Sequence, residues 1–478
     1  MYQYPELALY INGEFLSGQG RDEQSVMNPA TLQVLGQLPH ANQADLDLAL
    51  KSAHDAFVLW CQKSASERAE ILHQVADRLR QKASEIAYHI TLDEGKIYDE
   101  ALSEVTSCVA HCNWNAEQAM RIEGRVIQSR DMDLMQLELR EPIGVCVAIT
   151  PWNFPFNQAI RKISAALAAG CTVIIKGSEE APSAVMNIAK VFHEVGLPAG
   201  VLNVVWGVPE VVSDYLIRSP ITRVLAFTGS VSVGKSLAAK ATESMMSTVM
   251  ELGGHSPVLI FEDADIHELL PALVRHKLRN AGQSCNAPTR CYVHESKYEA
   301  LTTALVATFK KVVVGSGLDK ETTMGPLANE RRLNVMQEMV DDALSKGAKL
   351  LIGGRAIKGS GYFFEPTILT DVNDDMRIMN EEPFGPILTI SPFRDEHQVV
   401  MAANRLNYGL TTYVFTHDAK RQHRLIQALE AGMIRINRIG SSLPETPVVG
   451  IKDSGVGVEG GVDSLKPYLQ TKFVSLEP

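Results

Sequence analysis

Three short stretches set reactive side chains beside residues that stiffen or open the backbone. In GQSCNAPTR, Cys285 follows Gly282, Gln283 and Ser284. A thiol in a polar, glycine-containing loop can be reached and ionised, as a nucleophile requires. A cysteine is equally a small core hydrophobe, and the loop alone does not separate the two readings. In MELGGHSP, Glu251 ends an apolar run and precedes Gly253 and Gly254. That setting suits a mobile general base, or simply an exposed acid at a strand end. In ITPWNFP, Asn153 lies between Trp152 and Phe154 with a proline on either side. An amide held in so stiff a turn can donate to an oxyanion.

Two glycine patterns point elsewhere. Gly229 to Ser236, GSVSVGKS, fits the phosphate-loop spacing G-x-x-x-x-G-K-S/T and follows a strand pattern. With VLIFED (258–263) as an acidic strand end, it supports a nucleoside-triphosphate site as an alternative reading. Spacing cannot distinguish that from any helix N-terminus that binds a pyrophosphate, because both use free N–H groups and the helix dipole. GVGVEG (455–460) fits G-x-G-x-x-G, but no βαβ unit can follow it and a flexible loop is expected. Cys108 and Cys112 flank His111 without a second ligand pair, so buried thiols are expected there and no metal site is predicted.

The elements that must carry these residues alternate. Residues 44–122 show apolar positions at three- and four-residue steps, as amphipathic helices do, with Gly95 and Gly124 as breaks. From 143 onward, GVCVAITP, TVIIKG, LNVVWG and RVLAFTG read as buried strands separated by FNQAIRKISAALAAG, PSAVMNIAKVFHEVG and PEVVSDYLIRS. Such alternation predicts right-handed crossovers and a parallel sheet covered on both faces. A second series runs from SPVLIFEDADIHELL through YGLTTYVFT to MIRIN. DLMQLELR (133–140) reads as a strand outside the main sheet, and the tail SLKPYLQTKFVSL is expected to pair with it. Two α/β domains with a small sheet extension account for the whole pattern.

The chain has 478 residues, 45 Lys plus Arg against 56 Asp plus Glu, and a net charge of −11. That length and balance suit a large packed core and argue against a general nucleic-acid binder, which needs clustered cations. No apolar stretch approaches a membrane span, and the first residues lack a basic, then apolar, secretory signal. The seven cysteines are odd in number and scattered, which predicts a reducing compartment, the cytoplasm.

PWNFP, FTGSxxxG, ELGG, GQxC, EEPFGP (381–386) and KDSGxGxEGG (452–461) stand in the order and spacing of the aldehyde dehydrogenase superfamily. The chain resembles that family over nearly its full length. The resemblance implies a Rossmann-type parallel-sheet cofactor domain (1–120 and 142–252), an α/β catalytic domain (253–440) and a small β oligomerisation arm (121–141 and 460–478). It implies oxidation of an aldehyde through attack by Cys285, an oxyanion held by Asn153 and the Cys285 N–H, hydride loss, and thioester hydrolysis by water that Glu251 activates. Members that transfer the acyl group to coenzyme A lack this glutamate, so hydrolysis is expected.

By the same resemblance, Lys176 and Glu179 hold the adenosine ribose. Gly229, Ser230 and Gly234 form the phosphate turn, which makes the triphosphate-loop match a coincidence. Trp152 lies beside the pyrophosphate, Glu382 takes the nicotinamide ribose and Phe384 packs near the ring. A carboxylate at Glu179 would repel a 2′-phosphate, which favours NAD over NADP. Arg161, Arg279 and Ser442 match the positions with which succinate-semialdehyde dehydrogenases hold a distal carboxylate, so a small anionic semialdehyde, succinate semialdehyde first, is the expected substrate. Departures leave other semialdehydes open. Pro447-Val448-Val449-Gly450 replaces a PFGG segment, Val458 replaces an arginine, Ala287 replaces a redox-active cysteine, and Gly177 replaces a proline. A homodimer or homotetramer is expected, with no membrane or nucleic-acid partner.

Overall fold

A computed structural model describes residues 2–440 and 442–477. Three long helices, Gln43–Trp60, Ala65–Glu94 and Tyr98–Ala119, occupy the region of helical periodicity. The first two start at capping boxes, Asn42 with Asp45 and Ser64 with Glu67, in which side chains satisfy first-turn N–H groups. Gly95 ends the second helix at φ 95°, the left-handed conformation a glycine adopts without a Cβ penalty.

The strands predicted from 143 onward all belong to one sheet. Its order is Glu14–Leu16, Leu9–Ile11, Leu202–Val205, Thr172–Lys176, Val145–Ile149, Thr222–Gly229, Ser247–Leu252, Gly455–Val456. The five central strands are parallel, and the short edge strands pair antiparallel. Val145–Ile149 is the first of the five in the chain, and the order reverses between it and Thr222–Gly229. That reversal opens a crevice at the carboxyl ends of the strands, where doubly wound sheets bind ligands. Trp152, Asn153, Gly229 and Ser230 all follow those two ends.

The second sheet has the order Lys349–Ile352, Thr367–Thr370, Ile387–Phe393, Arg290–His294, Pro257–Ile260, Thr411–Phe415, Met433–Ile436. All its pairs are parallel except the first. Each sheet has its own apolar core, one formed mainly by residues up to Leu252 and the other by residues from Val258 to Ile439. The expected pairing of arm and tail is present: Leu469–Leu476 runs antiparallel to Met135–Pro142, with Arg125–Ile127 on the far edge. The central strand, Met135–Pro142, begins two residues later than the alternation suggested. Val126 and Phe473 stand exposed on this ribbon.

The amino-terminal strands and the hairpin Glu23–Met27 with Val34–Pro39 have no counterpart in the sequence reading. Their burial pattern is irregular, so no period of two is visible. Among the described residues, no helix is long and apolar enough to cross a membrane. Cys108 and Cys112 are buried thiols, and among the described residues no group of three or more His, Cys, Asp or Glu side chains is arranged to hold a metal.

Candidate active site

One cleft of about 940 Å³ runs between the two sheets, and Asn153, Glu251 and Cys285 all line it. Asn153 sits just before the helix Pro155–Ala169, whose start is fixed by Pro155 at its first position. Its Nδ2 donates to the Gln283 carbonyl at 3.0 Å, which leaves the second amide hydrogen for a ligand. Its own carbonyl accepts from Lys96 Nζ at 2.6 Å and from Asn280 Nδ2 at 2.8 Å. Lys96 in turn pairs with Glu104 at 2.6 Å, and Glu104 accepts from the N–H groups of Phe156 and Asn157. This buried cluster holds both ends of the Asn153 turn.

Cys285 follows a bend in which Asn280 and Ala281 both have φ 51°, a left-handed conformation costly for residues with a Cβ. Gln283 braces the bend by donating to the Asn280 carbonyl and accepting from the Ala328 N–H, each at 3.0 Å. The Cys285 N–H has no hydrogen-bond partner among the described residues, so it is available as a second donor beside the Asn153 amide. Burial, then the adjacent Glu251 carboxylate, pushes the Cys285 thiol well above its usual range.

Glu251 is the penultimate residue of the strand Ser247–Leu252 and is buried, with Oε2 unpartnered. Burial raises its pKa, the Glu459 carboxylate raises it further, and Lys162 and Arg161 oppose the shift. Of the glycines Gly253 and Gly254, the second is a steric requirement, because it packs against backbone. A Cβ on Gly253 would lie 2.3 Å from Glu382 Oε2, and one on Gly254 would lie 2.6 Å from the Cys285 carbonyl.

Trp152, Gly229, Ser230, Glu382 and Phe384 line the same cleft. Ser230 caps the helix Val231–Glu243, and the first-turn N–H groups behind it face the cleft with the positive end of the helix dipole. Gly234 lies on that helix where a Cβ would strike Leu252 at 2.4 Å. Glu382 accepts from the Gly254 N–H at 3.2 Å, and burial pushes its carboxyl up to about 8. Trp152 packs edge-on to Phe384 with ring centroids 5.4 Å apart, which puts the indole at the Phe384 end of the cleft. Lys235 pairs with Asp453 at 2.7 Å rather than standing alone over the turn.

Lys176 and Glu179 form a largely buried ion pair, 2.6 Å apart, beyond the strand Thr172–Lys176. The Gly207 N–H also donates to Glu179. Gly177 leaves room for Trp206, whose ring a Cβ would meet at 2.6 Å.

The substrate trio is less simply arranged than the motif positions suggested. Arg161 is not left uncompensated: its Nε lies 3.6 Å from Glu459, although its nitrogens lack hydrogen bonds of good geometry. Arg279 stacks on the Phe154 ring at 4.7 Å. Ser442 accepts from Arg435 Nη2 at 3.0 Å. The structure therefore places the three in different local partnerships.

Sequence reasoning missed Lys96, Glu104, Lys162, Glu459 and Arg435. Lys162 donates to Glu459 at 2.5 Å and to Thr228 at 2.6 Å, and Thr228 reaches Gln158 at the cleft wall. Glu459, held below the usual carboxylate range by these cations despite burial, sits within the glycine loop expected to be flexible. An acid among glycines, and a lysine inside the apolar helix Pro155–Ala169, were the available signals.

A model of the aldehyde dehydrogenase family matches residues 15–474. The chain is 40% identical over 474 residues to 4-(hydroxymethyl)benzenesulfonate dehydrogenase TsaD1 of Comamonas testosteroni, covering 99% of this chain and 98% of that one. It is 36% identical over 466 residues to the NADP(+) succinate-semialdehyde dehydrogenase GabD of Escherichia coli, covering 98% and 97%. The NAD+ complex of an aldehyde dehydrogenase from Bacillus cereus superposes with a TM-score of 0.97 at 35% identity, covering 100% of this chain and 97% of that one. With residues from five of the six motifs lining one cleft, this chain belongs to the aldehyde dehydrogenase family and is an NAD(P)-dependent aldehyde dehydrogenase.

Proposed function

We propose that the protein oxidises a small anionic semialdehyde, succinate semialdehyde first, to its carboxylic acid, with NAD preferred over NADP. The observation that carries this reading is the single cleft lined by Cys285, Glu251, Asn153, Glu382 and Phe384. The Cys285 thiol gives up its proton to water, the thiolate sulfur bonds to the aldehyde carbon, and the carbonyl π pair moves onto oxygen as the negative charge. The Asn153 amide and the Cys285 N–H donate to that oxygen, where their fixed dipoles are strengthened by exclusion of water. Bound nicotinamide dinucleotide supplies the hydride acceptor, and the first-turn N–H groups after Ser230, Glu382 and the Lys176–Glu179 pair suit a phosphorylated bis-ribose ligand. Hydride loss leaves a thioester on Cys285. Glu251 then removes a proton from water, the water oxygen attacks the thioester carbon, and the acid departs as the thiol is restored.

Arg161, Arg279 and Ser442 support an anionic substrate, as do relatives named for succinate semialdehyde and glutarate semialdehyde. A sulfonated aromatic aldehyde is the second reading, favoured by the 40% identity to the benzenesulfonate enzyme. The Glu179 carboxylate supports NAD, and the exposed apolar side chains of the antiparallel arm support assembly into a homodimer or homotetramer. The test is kcat/KM for charged and neutral aldehydes of matched size with each cofactor. Succinate semialdehyde with NAD should lead the panel, and neutral aldehydes used equally well would reject the anionic reading. Cys285→Ala should abolish turnover, by more than about 10³-fold, while cofactor still binds.

A further inference from the structure

We infer that Arg435 is a specificity-determining residue, its guanidinium binding the distal anionic group of the aldehyde. The inference rests on the anionic-aldehyde reading above and names a cation that the motif positions do not include. Arg435 lies on the strand Met433–Ile436, directly beside Tyr413 in the parallel ladder. The Tyr413 hydroxyl donates at 2.7 Å to the carbonyl of Asn286, the residue after the nucleophile. Arg435 is therefore one side chain removed from the loop that carries Cys285.

Its partners leave its charge unanswered. One Nη2 hydrogen bond goes to the Ser442 hydroxyl, a neutral acceptor, and Nε is buried without any partner. Among the described residues, no carboxylate pairs with it. Further arginines act electrostatically on the same neighbourhood. His276 lies 3.1 Å from the Tyr413 hydroxyl, and its imidazole is pushed down to about 3 by burial and then by Arg279 and Arg435. Arg279, Arg435 and Arg275 thus all act on one uncharged ring, with Arg435 placed beside Tyr413 in the ladder, whereas Arg161 faces Glu459. A planar guanidinium with unused N–H donors matches the paired oxygens of a carboxylate or sulfonate, and a neutral aldehyde tail offers no such partner. The Ser442 hydroxyl, already oriented by Arg435, would add a donor to the same anion.

The experiment compares wild type, Arg435→Met and Arg435→Lys in two substrate arms with NAD: succinate semialdehyde against butanal, and 4-formylbenzenesulfonate against benzaldehyde. In the arm that carries the natural anion, Arg435→Met should raise KM for the charged member roughly 10- to 100-fold, as expected for loss of a charge-assisted bond. The change for the neutral member should be at least tenfold smaller, and Arg435→Lys should recover part of the loss. The inhibition constant of succinate or benzenesulfonate should rise by a similar factor, a binding readout independent of chemistry. Thermal melting of both variants monitors folding, and the lysine variant keeps the test decisive if the methionine variant melts early. Equal losses on charged and neutral members, or unmoved inhibition constants, would overturn the role of Arg435 alone. A wild-type enzyme with no preference for the charged member in either arm would instead remove the anionic reading itself.

Discussion

Lys96 Nζ donates to the backbone carbonyl of Asn153 at 2.6 Å while pairing with Glu104 at the same distance. The proposed oxyanion donor is therefore anchored, through a fully buried ion pair, to the helices on the far side of its turn. Preorganisation of that kind matters because a donor that must reorient as charge develops loses most of its advantage.

Lys96→Met should destabilise the protein by about 3 to 5 kcal/mol, because it strands the Glu104 carboxylate in a dry site. Adding Glu104→Leu should restore part of the stability but not kcat, since the Asn153 carbonyl still lacks its tether. Denaturant titration and steady-state kinetics on the single and double variants check both halves.

Glu251→Gln should separate the two half-reactions. Hydride transfer needs only Cys285 and the oxyanion donors, so a burst of about one reduced cofactor per site should precede a steady state lowered roughly 10²- to 10⁴-fold. In wild type, Glu251 works as the ionised base and its pKa lies above the ordinary carboxylate value. The rate should accordingly fall as pH drops through that raised pKa. Glu459→Gln removes a repelling charge and releases Lys162 and Arg161, so the acid limb of the kcat profile should move to lower pH.

Glu179→Ser should break the pair with Lys176 and leave an ammonium where a carboxylate stood 2.6 Å away. The ratio of kcat/KM with NADP to that with NAD should rise by about tenfold or more, because a repelled 2′-phosphate becomes an attracted one. Paired initial-rate measurements with the two cofactors test it.

Glu382 gives a stability prediction with a definite sign. Its folded pKa of about 8 stands above the usual 4.5, so the folded state holds the proton more tightly than the unfolded chain. The cost of ionising it in place is absent at low pH, grows as pH rises above 4.5, and is complete above about 8. Glu382→Gln removes that cost, which is on the order of a few kcal/mol at full ionisation. Its melting temperature should exceed that of wild type by more at pH 9 than at pH 5.

The local grammar of this chain singled out Cys285, Glu251 and Asn153 as candidates, because loops, strand ends and proline-bounded turns are written in adjacent residues; their proposed roles came from the family resemblance, and the fold brings all three to one cleft. The same holds for the parallel strands, whose continuous β-branched runs reflect burial on both faces, and for the pairing of residues 469–476 with the arm. The strands from Arg290–His294 to Ile387–Phe393 escaped notice because residues such as Arg290, Ser391 and Pro392 interrupt their apolar runs.

Charge partnership was decided only by tertiary structure. Whether a cation binds substrate or is spent on a neighbour depends on what lies across the fold. Glu459 stands 297 positions from Lys162, which it meets at 2.5 Å, and it also faces Arg161. Arg435 looked like an ordinary strand residue until its neighbours proved to be Tyr413 and Ser442 and no acid among the described residues. Coulomb energies and desolvation costs are set by distance in space and by exclusion of water, and neither is encoded in separation along the chain.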